Sequence, residues 1–148
     1  METERFETFT NFINGLYWDI QKLKAKWTEP LGMKAVHIFW VYLLRRHPEG
    51  LSSAELSRYS QSNRSLVSRE IGELIQLGYV AYRKEQDGRR YGQRLVLTQQ
   101  GLAVSDTIRQ ATLQIQNQVN DGIPEQDLLV FYRTLHTLQQ NFDLLAHQ

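Results

Sequence analysis

The segment from Ser62 to Gly78 constrains the fold most, because it reads as one helix with two chemically different sides. At 100° per residue, one side is an apolar stripe made of Val67, Ile71, Leu74 and Ile75. The opposite side is small, polar and cationic, and consists of Ser65, Ser68, Arg69, Gly72 and Gln76. A helix with so little outer bulk fits the major groove of DNA, where Arg, Asn and Ser side chains read base edges. Taken alone, the same face is equally well explained as a solvated polar surface.

A second, shorter helix is predicted just upstream, from Leu51 to Tyr59. Ser52 as its N-cap and Glu55 three residues later form the capping-box pattern. Its apolar positions can pack on the stripe of the following helix. The short turn around Ser60 to Ser62 gives the spacing typical of a helix-turn-helix.

Two β-rich runs follow the second helix, which Gly78 is expected to end. They are Tyr79 to Lys84 and Arg94 to Leu97, and the Asp-Gly turn between them carries Arg89 and Arg90. This pattern is typical of a β-hairpin. Helix, turn, helix and a hairpin with a cationic tip together predict a winged helix-turn-helix.

Composition narrows the class of protein. With 148 residues and 41% hydrophobic residues, the chain can bury one modest core. It has no cysteine, which excludes disulfides, thiolate catalysis and thiol redox sensing, and its four histidines show no metal-ligand spacing. No phosphate-binding glycine loop, activated nucleophile or carboxylate pair is visible, so we expect neither an enzyme nor a cofactor. With neither a signal peptide nor a membrane span evident, a cytoplasmic location is expected.

Positive charge is concentrated on the predicted helix-turn-helix and hairpin. The whole chain has a net charge of +1, but the stretch from Arg58 to Arg94 carries +4 and the remainder −3. This distribution favours a polyanion such as double-stranded DNA as the partner, because phosphate neutralisation supplies most non-specific affinity.

Helices are predicted on both sides of this region. They cover Glu4 to Lys26, Met33 to Arg46, Gln99 to Asn120 and Pro124 to Ala146, with breaks at Glu29–Gly32 and Asp121–Pro124. Thr98 is the expected N-cap of the third. The first and last carry more apolar residues than a small monomer can cover, so residues 1–30 and 99–148 are interpreted as a homodimerisation region. Residues 31–98 form the winged helix-turn-helix, within one compact domain overall.

The residues around the hairpin and the second helix resemble the MarR (multiple antibiotic resistance regulator) family of winged helix-turn-helix transcription factors. The resemblance rests on Leu51-Ser52, Glu55-Leu56, Ser65, Val67, Ser68-Arg69, Ile71, Leu74, Gly78-Tyr79-Val80, Asp87-Gly88-Arg89-Arg90, Leu97-Thr98 and Gly101. It implies a mainly helical homodimer with a small β-hairpin wing. It also implies a DNA-binding regulator, as a rule a repressor on a pseudo-palindromic operator.

The resemblance and the residue types together give candidate site residues. The expected DNA contacts are Ser52, Asn63, Arg64, Ser65, Ser68, Arg69, Arg89 and Arg90. The family often binds small aromatic or anionic effectors, and the candidate pocket residues here are Tyr17, Trp18, His37, Trp40 and Arg109. These five also have a plain alternative role as core and dimer contacts. A winged-helix module that binds protein and not DNA is the alternative function.

Two departures from the family pattern stand out. The family usually has an acidic and a basic residue at the positions of Gly72 and Glu73, so ion pairing there is expected to differ. The stretch from Asp87 to Thr98 is about two residues longer than usual. An even insertion is expected to preserve which strand residues face inward, but it leaves open which of Arg89 and Arg90 enters the minor groove.

Overall fold

The computed structural model describes residues 1–84 and 90–148. Within them lie six α-helices and two strands: α1 (Glu2–Thr28), α2 (His37–Arg46), α3 (Ser53–Ser60), α4 (Arg64–Gln76), β1 (Val80–Lys84), β2 (Arg90–Leu97), α5 (Gln99–Val119) and α6 (Glu125–Ala146). The chain divides into two compact units, residues 1–111 and residues 112–148. The predicted fold class, mainly helical with one small antiparallel hairpin, is confirmed.

The core of the first unit lies where α2, α3, α4 and the hairpin meet. The predicted apolar stripe of α4 faces this core, with Val67, Ile71 and Leu74 buried and Ile75 half-buried. The buried apolar residues are Met33, Trp40, Val41, Leu43, Leu44, Leu51, Leu56, Val67, Ile71, Leu74, Val80, Leu95, Val104 and Ile108. The core therefore holds the outward face of α4 at a fixed place on the surface of this unit.

The connection between α1 and α2 differs from the prediction. Glu29 keeps helical backbone angles although Pro30 follows it, and Glu29–Leu31 forms a turn of 3-10 helix. A proline is tolerated there because the first turn of a helix needs no N–H from it. Gly32, with φ of 71°, ends this turn, and α2 begins only at His37 instead of Met33.

The hairpin is longer and less regular than the prediction. Val80 pairs with Leu97 and Tyr82 with Leu95, but Lys84 then pairs with Arg90. An advance of two residues along β1 is therefore matched by five residues along β2. The extra residues of β2 thus interrupt the ladder, and Gln93 there has φ of 48°. The strand starts at Arg90 and not at Arg94. An even insertion was expected to preserve which residues of the strand face inward. The register shift interrupts this alternation of inward and outward residues.

α5 begins as the sequence predicts. The hydroxyl of Thr98 accepts a hydrogen bond from the N–H of Gly101 at 3.0 Å and donates one to the carbonyl of Gly78 at 2.6 Å. Gly101 is required because a Cβ at this position would overlap the carbonyl oxygen of Tyr79. The start of α5 is therefore fixed against the end of α4 and the start of β1.

α1 and α6 leave most of their apolar side chains exposed. α1 buries only Thr28 among its 27 residues, and α6 buries none. The large exposed side chains are Phe6, Phe12, Ile13, Leu16, Tyr17, Trp18 and Ile20 on α1, and Leu129, Val130, Phe131, Tyr132, Phe142, Leu144 and Leu145 on α6. Among the described residues, no helix combines the length and apolarity needed to cross a bilayer.

Candidate nucleic-acid interface

The N-terminal half of α4 carries five of the predicted DNA contacts. Asn63 is the N-cap, and its side-chain oxygen accepts a hydrogen bond of 2.8 Å from the N–H of Leu66. This cap fixes the start of α4 at Arg64. The side chains of Asn63, Arg64, Ser65, Ser68 and Arg69 are all exposed. The structure thus brings these five residues together on one surface.

The two arginines of this surface are available to a ligand. Among the residues that the structure describes, the side chains of Arg64 and Arg69 make no hydrogen bond and no ion pair. Arg64 stands in the first turn of α4, where the helix dipole also favours anions. A guanidinium group can bind a phosphate or the edge of a guanine with two hydrogen bonds.

Both glutamates of α4 are directed toward α2. Glu70 is only 6% exposed and accepts a hydrogen bond from the indole N–H of Trp40 at 2.5 Å. Glu73 accepts one from the ammonium group of Lys34 at 3.0 Å and lies 2.8 Å from Nε2 of His37. The hydrogen bond from Lys34 lowers the pKa of Glu73, and the His37 ring contributes in the same direction. Negative charge is thereby kept off the outward face of α4.

Sequence reasoning missed these inward carboxylates. Glu70 and Glu73 are three residues apart, as are His37 and Trp40 on α2, so each pair occupies one helical turn. The equal spacing of two hydrogen-bond donors on the buried helix α2 and two acceptors on α4 was the signal that could have predicted these contacts. The departure from the family pattern at Glu73 also indicated different ion pairing there, and the structure shows that its partners are Lys34 and His37.

α3 contributes Ser52, whose role as N-cap is confirmed. Its hydroxyl oxygen accepts a hydrogen bond of 3.2 Å from the N–H of Glu55. The carboxylate of Glu55 lies 3.6 Å from the guanidinium of Arg94 on β2. Ser52 is half-buried, so the DNA contact predicted for it remains a prediction.

Two basic residues of the hairpin hold its base in place. Arg83 donates a hydrogen bond of 2.9 Å to the carbonyl of Glu49, and Arg94 donates one of 2.8 Å to the carbonyl of Gly50. Their charges thus contribute to internal contacts. Arg89 and the side chain of Arg90 lie outside the described part of the chain, so their predicted wing contacts stay predictions.

The predicted effector residues fall into two groups. His37 and Trp40 are each 1% exposed, and Glu73 and Glu70 bind their ring N–H groups. Tyr17, Trp18 and Arg109 are exposed. One surface hollow of about 480 Å³ is lined by Ala25, Thr28, Glu29, Gly32, Met33, Lys34 and Ala35, and another by Thr8, Asn11, Phe12, Gly15, Leu16 and Asp19. None of the five predicted residues lines either hollow.

The architecture of the chain matches that of known proteins. The family model described as "MarR family" matches residues 31–90, which span α2 to the start of β2. Over these residues the chain is similar to the MarR family. The matched segment contains the capped α3 and α4 and their glutamates. The comparison with curated proteins gave no match.

Solved MarR structures share the fold over nearly the whole chain. A crystal structure of a MarR family transcription regulator is 20% identical with a TM-score of 0.86, covering 99% of this chain and 96% of that one. A MarR transcriptional regulator from Methanosarcina mazei Go1 is 22% identical with a TM-score of 0.76, covering 93% and 96%. A MarR family protein from Bacillus stearothermophilus is 14% identical with a TM-score of 0.78, covering 97% and 99%. The MarR architecture therefore extends beyond the segment that the family model matches.

Proposed function

We propose that this protein is a MarR family transcriptional regulator that binds double-stranded DNA sequence-specifically in the cytoplasm. One observation carries the proposal: α4 presents Arg64, Ser65, Ser68 and Arg69 outward while both of its glutamates bind side chains of α2. A helix with only cationic and small hydrogen-bonding residues on its exposed side suits the major groove. Ser52, Asn63, Arg89 and Arg90 are the further proposed contacts.

The proposed binding unit is a homodimer. The structure leaves seven large apolar side chains exposed on α1 and seven on α6, which is typical of helices covered by a second copy. A two-fold dimer reads a pseudo-palindromic operator, with half-site centres about 34–36 Å apart. The proposed action is repression, because a dimer bound at an operator excludes other proteins from the same DNA.

Release of the operator by a small aromatic or anionic effector completes the proposal. Tyr17, Trp18 and Arg109 are the predicted contacts whose side chains are accessible in this structure. Aromatic rings suit the stacking of an aromatic effector, and a guanidinium suits the binding of a carboxylate. A thermal-shift series with phenolic and other aromatic acids tests this part. Stabilisation that Arg109→Ala abolishes supports it, and no stabilisation across the series rejects it.

Selection from a random duplex library tests DNA recognition itself. The protein is incubated with the library at about 0.15 M salt, bound duplexes are sequenced over several rounds, and the mass of the complex is measured by light scattering. We expect an inverted repeat to be enriched and two protein copies to bind each duplex. The absence of any enriched sequence, together with no measurable affinity for DNA, would favour the protein-interaction alternative.

A further inference from the structure

Five residues join α2 and α4 through side-chain hydrogen bonds, and we call them the α2–α4 clasp. They are Lys34, His37 and Trp40 on or just before α2, and Glu70 and Glu73 on α4. Trp40 and Glu70 form the buried half of the clasp. Lys34, His37 and Glu73 form its outer half, in which the side chain of Lys34 is 67% exposed and that of Glu73 is 28% exposed.

His37 is held in one tautomer. Its Nδ1 accepts a hydrogen bond of 2.9 Å from the backbone N–H of Lys34, so this nitrogen carries no proton. The proton is therefore on Nε2, which donates to a carboxylate oxygen of Glu73 at 2.8 Å. The other carboxylate oxygen of Glu73 accepts from Lys34 at 3.0 Å. Each oxygen of Glu73 thus has its own donor on the α2 side.

Arg69 is the alternative partner of Glu73. The two residues are four apart on α4, the spacing at which an arginine and a glutamate on one helix can pair. In the structure Glu73 pairs with Lys34 and His37, and Arg69 makes no ion pair with any described residue. The carboxylate of Glu73 can thus turn toward α2 or toward the DNA-facing guanidinium, and the clasp selects α2.

We propose that Lys34 and His37 are positioning residues for DNA recognition, because they keep the carboxylate of Glu73 away from Arg69. Arg69 is then available to DNA with its full charge. This proposal rests on the proposed DNA-binding function and adds to it two residues with no DNA contact of their own. Loss of Lys34 leaves His37 as the remaining donor to Glu73 and increases the fraction of molecules in which Glu73 pairs with Arg69.

A set of substitutions in the full chain tests the proposal. The variants are Lys34→Met, Glu73→Gln, the pair together, and each of these with Arg69→Ala. Arg46→Met, which removes an exposed positive charge of α2, is the charge-matched control. Circular dichroism verifies folding, and fluorescence anisotropy gives the affinity for the selected operator over a range of salt concentrations.

The effect expected from Lys34→Met depends on whether Glu73 and Arg69 are present. Lys34→Met lowers operator affinity about threefold, the range of an exposed ion pair, and shifts the salt slope toward that of Arg69→Ala. Adding Glu73→Gln to Lys34→Met restores the affinity, and Lys34→Met has no effect when Arg69 is already alanine. Arg46→Met leaves the affinity unchanged. An equal loss from Lys34→Met in all three backgrounds, or no loss at all, overturns the proposal.

A spectroscopic measurement separates this proposal from the proposed function. In the protein without DNA, the NMR signal of the Arg69 side-chain Nε–H is expected to shift in Lys34→Met and to return in Lys34→Met with Glu73→Gln. If the signal does not move, Lys34 and Arg69 do not compete for the carboxylate of Glu73, and the proposal is overturned even if the protein binds DNA. A signal that moves in a protein without operator affinity shows instead that the proposed function is wrong.

Discussion

Arg94 donates a hydrogen bond of 2.8 Å to the carbonyl oxygen of Gly50, and this bond joins the hairpin to the segment that leads into α3. Gly50 has φ of 91°, which orients its carbonyl in a way that few other residues allow. Next to it, Leu51 and Leu95 exchange two backbone hydrogen bonds of 3.1 and 2.8 Å. The base of the wing is thus fixed relative to the helix-turn-helix.

Replacing Arg94 tests this connection. Arg94→Met keeps the apolar part of the side chain but removes the bonds to Gly50 and Glu55. We expect the free energy of unfolding to fall by about 1 kcal/mol, the net value of such a hydrogen bond, and operator affinity to fall as well. Urea unfolding and anisotropy measure the two effects. Arg58→Met, at an exposed site on α3, is the control for stability, and equal losses from both substitutions would contradict the assignment.

The buried half of the clasp predicts a non-additive pair of substitutions. Trp40→Phe leaves the carboxylate of Glu70 buried without its donor, at a cost of about 2 kcal/mol in the free energy of unfolding. Glu70→Leu added to Trp40→Phe removes the unpaired acceptor, so the double variant is expected to be more stable than Trp40→Phe alone. Thermal unfolding of the wild type, Trp40→Phe, Glu70→Leu and the double variant completes the double-mutant cycle. A double variant less stable than Trp40→Phe would show that Trp40 and Glu70 do not stabilise the fold through this hydrogen bond.

Two glycines give opposite predictions for the same substitution. Gly101→Ala places a Cβ in steric overlap with the carbonyl oxygen of Tyr79. The start of α5 must then move, which we expect to cost about 2–3 kcal/mol in unfolding free energy. Gly72 lies inside α4, where an added Cβ would have no neighbouring atom within 4 Å, so Gly72→Ala should stabilise by up to about 1 kcal/mol. Denaturant unfolding compares them, and a stabilising Gly101→Ala would refute the close approach.

The apolar surface of α1 predicts dimerisation. Trp18 is 62% exposed, and Trp18→Glu places a charge that a second copy would have to bury unpaired. We expect sedimentation velocity to show a shift from dimer to monomer, with weaker operator binding. Val36→Glu, at an exposed apolar residue outside α1 and α6, should leave the dimer intact. A monomeric wild-type protein, or a dimer insensitive to Trp18→Glu, would reject the proposed interface.

The local patterns of the sequence were sufficient for most of the fold. Periodicity and caps predicted α4, its core stripe, the N-caps Ser52 and Thr98, and the exposed side that carries Arg69. The predicted starts of α2 and β2 were wrong. Gly32 ends the 3-10 turn in a left-handed conformation and α2 begins only at His37, and the extra residues of β2 interrupt its ladder. Helical periodicity contains no information on either effect.

The contacts that complete the candidate site join residues far apart in sequence. Lys34 meets Glu73, Trp40 meets Glu70, and Arg94 meets Gly50. Each depends on how α2 or β2 packs beside its neighbour, which the pattern within one element does not determine. From the sequence alone, Glu70 counted only as a negative charge that reduced the local excess of positive charge, and the altered ion pairing expected at Glu73 had no assigned partner.

The salt dependence of DNA affinity tests the central claim most directly. Anisotropy titrations of an operator duplex between about 50 and 200 mM salt compare the wild type with Arg64→Ala/Arg69→Ala. We predict a steep loss of wild-type affinity with salt, and a slope of log affinity against log salt that is smaller by about two for the double variant. A wild-type affinity that does not change with salt, or a slope that the two substitutions leave unaltered, would contradict the assignment of α4 as the DNA-recognition helix.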